Sequence, residues 1–370
     1  MNEKSFKKSI NTQSIYTMKQ TNHIKKKRIT VSRPRLTVEE LNAVKAMRGE
    51  KGNTEKAQSE KEAKYDELAE MLSTSGMFES YSINPHINGD GNRETVALLQ
   101  YSDQHIDEVV ESDSVMGLNE YNPTIAEKRN ELYFYKAAKL IRHHQAHYNI
   151  KRIVLAMQGD AIGGWIHPEL EQTNSLSPNE AIYKFKGMAV AGIEYLSKNV
   201  DVEEITVVCI CGNHSRETKK TQFSNFTDTN KEYWMYLDIK SICESLGLSK
   251  VKFIIPKAEM AIVDIFDKRY LFAHGHQFRY AGGVGGIFPS MLRWFANITK
   301  SLKIDAAFIG HWHTSIMTRK VIVNASMKGY DAFSIGRGFE FERPSQNLIL
   351  IDSKYDICLF QQIYLDENEK

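Results

Sequence analysis

Short apolar runs alternate with longer amphipathic stretches through the middle of the chain. The runs end in polar residues, as in VALLQYSD at 96–103 and RIVLAMQGD at 152–160. Such runs predict buried β-strands, whereas apolar residues at helical spacing in the stretch 124–148 predict an amphipathic helix. Strands that alternate with helices favour an α/β core in which most strands are parallel.

The same pattern continues towards the C-terminus and then changes. A helix is predicted at 177–199, where a capping pattern opens the stretch, and two others at 231–246 and 288–301. The last apolar runs, VIVNAS, NLILID and YDICLF, follow one another without a helical stretch between them. Part of the sheet structure is therefore expected to be antiparallel or mixed.

The polar N-terminal region predicts a chain of three parts. Residues 1–35 are basic and show no periodicity, which predicts a disordered tail. Residues 36–94 predict short helices and a linker, because Thr37 and Glu40 have the spacing of a capping box. The remainder, 95–370, is predicted to be the α/β domain. The first two parts form a basic, partly helical N-terminal extension.

The composition excludes several classes of protein. With 42% hydrophobic residues among 370, the chain can build a sizeable core, so disorder throughout is excluded. No apolar stretch approaches about 18 residues and the N-terminus lacks the apolar block of a secretory signal, so we expect no contact with a membrane. Four cysteines in a chain of this length make no disulfide framework and suit a cytoplasmic protein.

The charge is distributed unevenly along the chain. The net charge is +2, but residues 1–64 carry +9 and the remainder carries −7. A basic arm on an acidic body is typical of contact with nucleic acid or another polyanion. A short basic tail that serves only solubility is the alternative.

Polar clusters that follow the predicted strands carry the candidate chemistry. They are Asp103-Gln104-His105, Gly159-Asp160, Gly212-Asn213-His214, Ala273-His274-Gly275-His276 and Gly310-His311-Trp312-His313. One such cluster is a common accident, but several that each end an apolar run indicate a shared site. Carboxylate, imidazole and amide oxygen donors without thiolate suit Mn²⁺, Fe or Zn²⁺. So many donors exceed the needs of one ion, and a pair of ions bridged by a carboxylate suits displacement at phosphorus.

These motifs, in this order, resemble those of the calcineurin-like metallophosphoesterases over roughly residues 95–325. The resemblance implies a four-layer α/β/β/α sandwich with mixed sheets, and attack on a phosphoester by a metal-bound hydroxide. The metal ligands that it implies are Asp103, His105 and His313 for one ion, Asn213, His274 and His311 for the other, and Asp160 between both. It also implies that His214 is no ligand but stabilises the transition state or protonates the leaving group.

Two positions depart from the family pattern. Gly163 stands where the family often has a second aspartate after Gly-Asp, and Ser215 stands where it often has an acidic residue after Gly-Asn-His. Neither missing carboxylate is a direct ligand in that pattern, so we expect weaker support behind the ligands. In the fourth motif His274 and His276 are both available, and the glycine after His274 favours it.

Narrower features resemble a branch of the family found in phage and plasmid genomes and related to DNA repair exonucleases. They include Ile166-His167-Pro168-Glu169-Leu170, the glycine-rich loop 282–286 and Asn324-Ala-Ser-Met-Lys-Gly. Cations near the motifs are expected to hold phosphate, and Arg216 joins His214 as a predicted catalytic residue. The predicted substrate-binding residues are His276, Arg279, Lys219 and Lys220. A solvated loop charge is the alternative for either lysine, and close backbone packing is the alternative for the loop.

The sequence therefore predicts a phosphoester hydrolase with two divalent metal ions. Mn²⁺ is the expected metal, although Fe, Zn and Ni suit the same ligands. Within that class we favour a phosphodiesterase or nuclease whose partner is nucleic acid, and the chain is compatible with a homodimer. The alternatives are a nucleotide or protein phosphomonoesterase, or a non-catalytic scaffold that binds nucleic acid.

Overall fold

Two mixed β-sheets form the centre of the computed structural model, which describes residues 93–280 and 286–366. The predicted tail at 1–35, nearly all of the segment 36–94 and most of the glycine-rich loop at 282–286 lie outside the described residues. The predicted division of the chain into three parts stays a prediction for that reason.

The larger sheet contains parallel strands at its centre and on one side. Its strands are β1 (Glu94–Tyr101), β2 (Asn149–Met157), β3 (Glu204–Cys209), β4 (Val251–Ile254), β10 (Ser345–Asp352) and β11 (Asp356–Tyr364). Their order is β11, β10, β1, β2, β3, β4. The first four strands of the chain pair in parallel, and β10 pairs antiparallel with both β1 and β11.

The smaller sheet mixes parallel and antiparallel pairs as well. Its strands are β5 (Met260–Ile265), β6 (Lys268–Ala273), β7 (Ala306–Ile309), β8 (Ile316–Met317) and β9 (Val321–Val323). They lie in the order β5, β6, β7, β9, β8, and β7 is parallel to both of its neighbours. Each outer strand is antiparallel to its single neighbour, β5 to β6 and β8 to β9.

The helices begin where the sequence offers capping side chains. They are α1 (Pro123–Gln145), α2 (Pro168–Thr173), α3 (Pro178–Asn199), α4 (Lys231–Ser245), α5 (Phe288–Leu302) and α6 (Ala332–Arg337), with a 3-10 turn at Ser112–Val115. The Asn122 side chain accepts from two backbone N–H groups at the start of α1. A capping box between Ser177 and Glu180 opens α3.

Alternate faces of the strands bury different layers. In β1, Leu99 packs in the cluster that includes α1 and α3, whereas Leu98 packs against residues of the smaller sheet, such as Phe272. In β6, Leu271 faces the opposite way and packs with Met291 of α5. The layers therefore run helix, sheet, sheet, helix, and the predicted α/β fold of four layers with mixed sheets is confirmed.

The sequence pattern missed α2, α6 and β8, which are shorter than two helical turns or consist of two residues. Periodicity needs a longer window than these elements provide. Among the helices of the described residues, none has the length and apolar character needed to span a bilayer.

Candidate metal centre

The predicted motifs all lie at the carboxyl ends of strands. Asp103 follows β1, Asp160 follows β2 and Asn213 follows β3, and these strands are parallel neighbours. His274 follows β6 and His311 follows β7, which are parallel neighbours in the smaller sheet. Because the carboxyl ends of parallel strands meet at one edge, each sheet gathers its own motifs. Contacts between Asp160 and His274 and between Asp103 and His311 join the two sets.

The backbone is strained at these strand ends. Nine non-glycine residues of the described chain have positive φ, and the predicted ligands among them are Asp103, His105, Asp160, His311 and His313. Residues other than glycine rarely adopt a positive φ, because the surrounding structure must hold them there. Those that do so concentrate at functional sites. More than half of the strained non-glycine residues therefore belong to one small region.

Two glycines let the loops after β2 and β3 pack backbone against backbone. A Cβ on Gly159 would collide with the backbone of Gly212, and a Cβ on Gly212 would collide with the Asp160 carboxylate. Only glycine allows this approach, which brings the Asp160 loop against the loop that carries Asn213.

The first group of candidate ligands is Asp103, His105 and His313. Nε2 of His105 lies 3.2 Å from Nε2 of His313. Nε2 of His313 in turn lies 3.5 Å from Oδ1 of Asp103. One ligand atom from each of the three residues lies within 4.8 Å of the others. The backbone N–H of His311 donates to both Asp103 oxygens, at 3.0 and 3.1 Å, which fixes the carboxylate.

The second group is Asp160, His274 and His311, with Asn213 beside it. Ligand atoms of the first three lie within 4.8 Å of one another. Nε2 of His274 lies 2.9 Å from Oδ2 of Asp160 and 3.1 Å from Oδ1 of Asn213. The same Asp160 oxygen is 4.0 Å from Nε2 of His105. One carboxylate oxygen therefore reaches both groups, as a bridging ligand must.

The electrostatics of the centre favour a cation. Burial alone would raise the pKa of Asp160, but His274 and His214 hold that pKa well below its ordinary value. Burial also opposes protonation of His274, yet the Asp160 carboxylate outweighs it and raises the pKa of His274 to about 9. The negative charge thus holds a proton on His274 where a metal ion would take its place. The carboxylate, imidazole and amide oxygen donors that converge here fit a divalent cation.

His214 lies beside the two ligand groups, and a hydrogen bond at Nδ1 holds its ring. Its Nδ1 donates to the carbonyl of Gly163 at 2.8 Å, and its Nε2 lies 4.0 Å from Oδ2 of Asp160. Its backbone N–H donates to Oδ1 of Asp160 at 2.8 Å. Burial lowers the pKa of His214, and Asp160 only partly opposes this effect. The ring therefore directs Nε2, and not Nδ1, towards the centre.

The contacts of His274 and His276 differ, and they bear on which of the two is the ligand. His274 reaches Asp160, whereas His276 stacks on Phe226 and its Nε2 lies 3.6 Å from Oε2 of Glu259. Burial and the neighbouring His274 lower the pKa of His276 to about 3. This geometry favours His274 as the ligand.

The predicted phosphate-binding cations lie in different settings. The guanidinium of Arg216 donates to the backbone carbonyls of Asn213 and Thr218, at 2.5 and 3.0 Å, and so ties its own loop together. Lys219, Lys220 and Arg279 are exposed. The roles predicted for these residues stay predictions.

Sequence reasoning missed Glu232, a buried carboxylate at the start of α4. Its two oxygens accept from the backbone N–H groups of Ala161 and Gly212, at 2.7 and 2.6 Å. These residues adjoin Asp160 and Asn213, so Glu232 joins the loops after β2 and β3. Burial, and then the charge of Asp160, raise the pKa of Glu232 to about 7. No signal in the sequence separates it from the exposed glutamates.

Glu232→Ala is expected to lower the free energy of unfolding by about 2–4 kcal/mol, because two buried N–H groups lose their acceptor. Urea unfolding followed by circular dichroism measures the change. Glu217→Ala is the matched control, since Glu217 pairs with Lys231 at the surface at 2.8 Å and is expected to contribute less than about 1 kcal/mol. Equal effects of the two substitutions would contradict the role given to Glu232.

Buried glutamines beneath the centre connect the two sheets. Gln158 donates to the carbonyls of Ala273 and Phe308, at 3.1 and 2.6 Å, and Gln100 donates to Gln158 at 2.8 Å. These bonds tie the end of β2 and the adjoining strand β1 to β6 and β7. The available signal is a glutamine inside an apolar run, in VALLQY and VLAMQ.

Comparisons with protein-family models and with curated proteins each gave no match. Among solved structures, a single mutant of Vps29 from Entamoeba histolytica is 12% identical, with a TM-score of 0.30, and the match covers 73% of this chain and 99% of that one. Wild-type Vps29 from the same organism, complexed with zinc, is 11% identical at a TM-score of 0.29, covering 73% and 99%. A hypothetical protein from Pyrococcus horikoshii is 10% identical at 0.34, covering 74% and 89%. At these scores nothing about the present chain follows from the likeness.

Proposed function

We propose that the chain is a phosphoester hydrolase that uses two divalent metal ions, with a phosphodiester of nucleic acid as its substrate. The observation that supports this most is the convergence of two ligand groups on Asp160. Ions bound there supply Lewis acidity to phosphoryl oxygens and lower the pKa of coordinated water. Mn²⁺ is the metal we expect, with Fe, Zn or Ni as substitutes.

The residues of the chain supply the remaining functions. Oδ2 of Asp160 lies between the two ligand groups, 2.9 Å from His274 and 4.0 Å from His105. The backbone N–H groups of His311 and Gly212 donate to Asp103 and Glu232 and so fix the loops from which the ligands project. His214 is held through Nδ1, so its Nε2 is free to carry a proton to the leaving oxygen or to contact the phosphoryl group.

Several features favour a diester of nucleic acid over a small monoester. The net charge of +9 on residues 1–64 suits a polyanion, and Lys219, Lys220 and Arg279 are exposed on the loops that carry the motifs. The motifs also resemble those of the family branch related to DNA repair exonucleases. Nucleotide or protein phosphomonoesterase activity is the main alternative, and a non-catalytic scaffold is the other.

The full-length chain tests this directly when it is loaded with Mn²⁺ and offered different esters. We expect about two equivalents of metal and cleavage of single-stranded DNA and bis(p-nitrophenyl) phosphate. Hydrolysis of p-nitrophenyl phosphate without any diester cleavage would remove the nuclease part of the proposal. DNA binding without bound metal would instead favour the scaffold.

Deletion of residues 1–64 is expected to weaken DNA binding but to leave hydrolysis of bis(p-nitrophenyl) phosphate unchanged. On duplex DNA, the slope of log affinity against log salt should become shallower by about 0.9 for each phosphate that the arm neutralises in the full-length chain. Fluorescence anisotropy at several salt concentrations measures both quantities. A full-length control, with Lys25, Lys26, Lys27 and Arg28 changed to Gln, separates charge from length. An unchanged slope in both variants would show that the arm does not bind DNA.

A further inference from the structure

A carboxylate from another segment fills the space at position 163. A Cβ built on Gly163 would lie 2.6 Å from both Cγ and Oε1 of Glu108. Real Cβ atoms do not approach neighbours so closely, so a side chain at 163 and the present position of Glu108 exclude each other. The missing aspartate of the Gly-Asp segment is thus accompanied by a glutamate that occupies its place.

Glu108 lies between a predicted metal ligand and a buried cation. Its Oε1 is 2.9 Å from Nδ1 of His105, on the side of the ring opposite to His313. Its Oε2 accepts from Nζ of Lys328 at 2.6 Å, and Lys328 also lies 2.7 Å from Oδ2 of Asp331. The Lys328 side chain is 4% exposed and that of Glu108 10%, so water does little to screen these charges.

We infer that Glu108, with its charge balanced by Lys328, is the positioning residue for His105 and replaces a carboxylate at position 163. The inference deepens the proposed function, because it rests on His105 as a metal ligand. A carboxylate at Nδ1 keeps the proton on that nitrogen and leaves the lone pair of Nε2 directed at the centre. Such a partner typically changes metal affinity by about 10–100-fold.

The segment that carries Lys328 holds the Asp103 loop in several places. Ser326 Oγ and the backbone N–H of Met327 donate to the carbonyl of Asp103, at 2.9 and 3.2 Å. Asn324 Nδ2 donates to Ser102 Oγ at 2.9 Å. The conspicuous Asn324-Ala-Ser-Met-Lys-Gly sequence therefore supports the first ligand loop, with Lys328 as its link to Glu108.

The position of Lys328 is itself fixed by other elements. Arg129 of α1 and Asn119 donate to its carbonyl oxygen, at 2.7 and 2.9 Å. These bonds fix the backbone from which the ammonium group reaches both Glu108 and Asp331. Removing Lys328 would leave two buried carboxylates without their cation, which is strongly unfavourable.

Metal affinity provides the first test, in the full-length chain. Titration with Mn²⁺, followed by the electron paramagnetic resonance of free Mn²⁺, should show that Glu108→Ala weakens one of two ions by about 10–100-fold and spares the other. Lys328→Met should act in the same direction. Lys184→Met is the control, since Lys184 pairs with Glu127 at the surface at 2.8 Å. Wild-type affinity for both ions in folded Glu108→Ala would overturn the inference.

Moving the carboxylate from position 108 to position 163 provides the second test. Gly163→Asp alone should be destabilised, because its side chain meets Glu108. The double variant, with Gly163→Asp and Glu108→Ala, should bind the weakened Mn²⁺ ion at least about tenfold more tightly than Glu108→Ala alone. A double variant that folds but binds as weakly as Glu108→Ala would show that the two positions are not interchangeable, and would overturn that part of the inference.

The tautomer of His105 tests the positioning role without any metal. In the metal-free wild type, ¹⁵N NMR of the imidazoles should show the His105 proton on Nδ1, and Glu108→Ala should shift it towards Nε2. An unchanged tautomer would overturn the inference. If the wild type bound no Mn²⁺ but the tautomer shifted, the positioning role would stand and the proposed function would fail.

Discussion

Asp160→Asn is expected to release the bound metal ions and to slow phosphodiester hydrolysis by about 1,000-fold, the factor that ~4 kcal/mol represents. Asn keeps the size of the side chain and an oxygen that accepts from the backbone of His214, which lies 2.8 Å away. What it removes is the charge shared between His274 at 2.9 Å and His105 at 4.0 Å. Metal content by mass spectrometry and turnover at saturating Mn²⁺ measure the two effects.

A matched control for Asp160→Asn is Asp352→Asn. Asp352 is also buried, but its carboxylate accepts from the backbone of Lys354 and Tyr355 in the β10–β11 hairpin, at 2.8 and 3.1 Å. Its substitution should alter stability and leave metal binding intact. Two tightly bound ions and wild-type turnover in Asp160→Asn would show that this carboxylate does not join the two ligand groups.

The sequence predicted the location of the centre because each motif follows an apolar run directly. Asp103 comes two residues after β1 ends and Asp160 comes three residues after β2 ends. Burial of the runs and the alternation of strands with helices are local signals, and parallel strands then bring their ends to one edge. These signals do not show which residues would share an ion, and the grouping of the ligands came from the resemblance to the calcineurin-like metallophosphoesterases.

The support behind the ligands could not be predicted in the same way. Glu108 and Lys328 are buried charged residues, and they lie 220 positions apart in the chain. A hydrophobic pattern separates apolar from polar positions, but it does not show which charges are buried and paired. The two departures at Gly163 and Ser215 therefore predicted weakened support. The structure places Glu108 beside Gly163, and Glu232 of α4 accepts from the backbone of the loops after β2 and β3.

His214→Ala is expected to keep both metal ions while DNA cleavage falls by about 100–10,000-fold, the range typical of a lost general acid. The ring contributes Nε2 near Asp160, and its Nδ1 is already occupied by the carbonyl of Gly163 at 2.8 Å. His144→Ala is the control, because His144 lies on α1 and contacts Gln361. Metal titration and single-turnover cleavage give the two readouts.

The leaving group separates proton donation from metal binding as the role of His214. An alkoxide leaving from DNA needs a proton, whereas p-nitrophenolate leaves without one. If Nε2 donates that proton, His214→Ala should slow bis(p-nitrophenyl) phosphate hydrolysis by less than about tenfold and DNA cleavage by far more. Equal losses on both substrates, with metal retained, would favour contact with the phosphoryl group instead. Loss of an ion would make His214 a ligand, since ligand atoms of His214, His105 and Glu108 lie within 4.8 Å of one another.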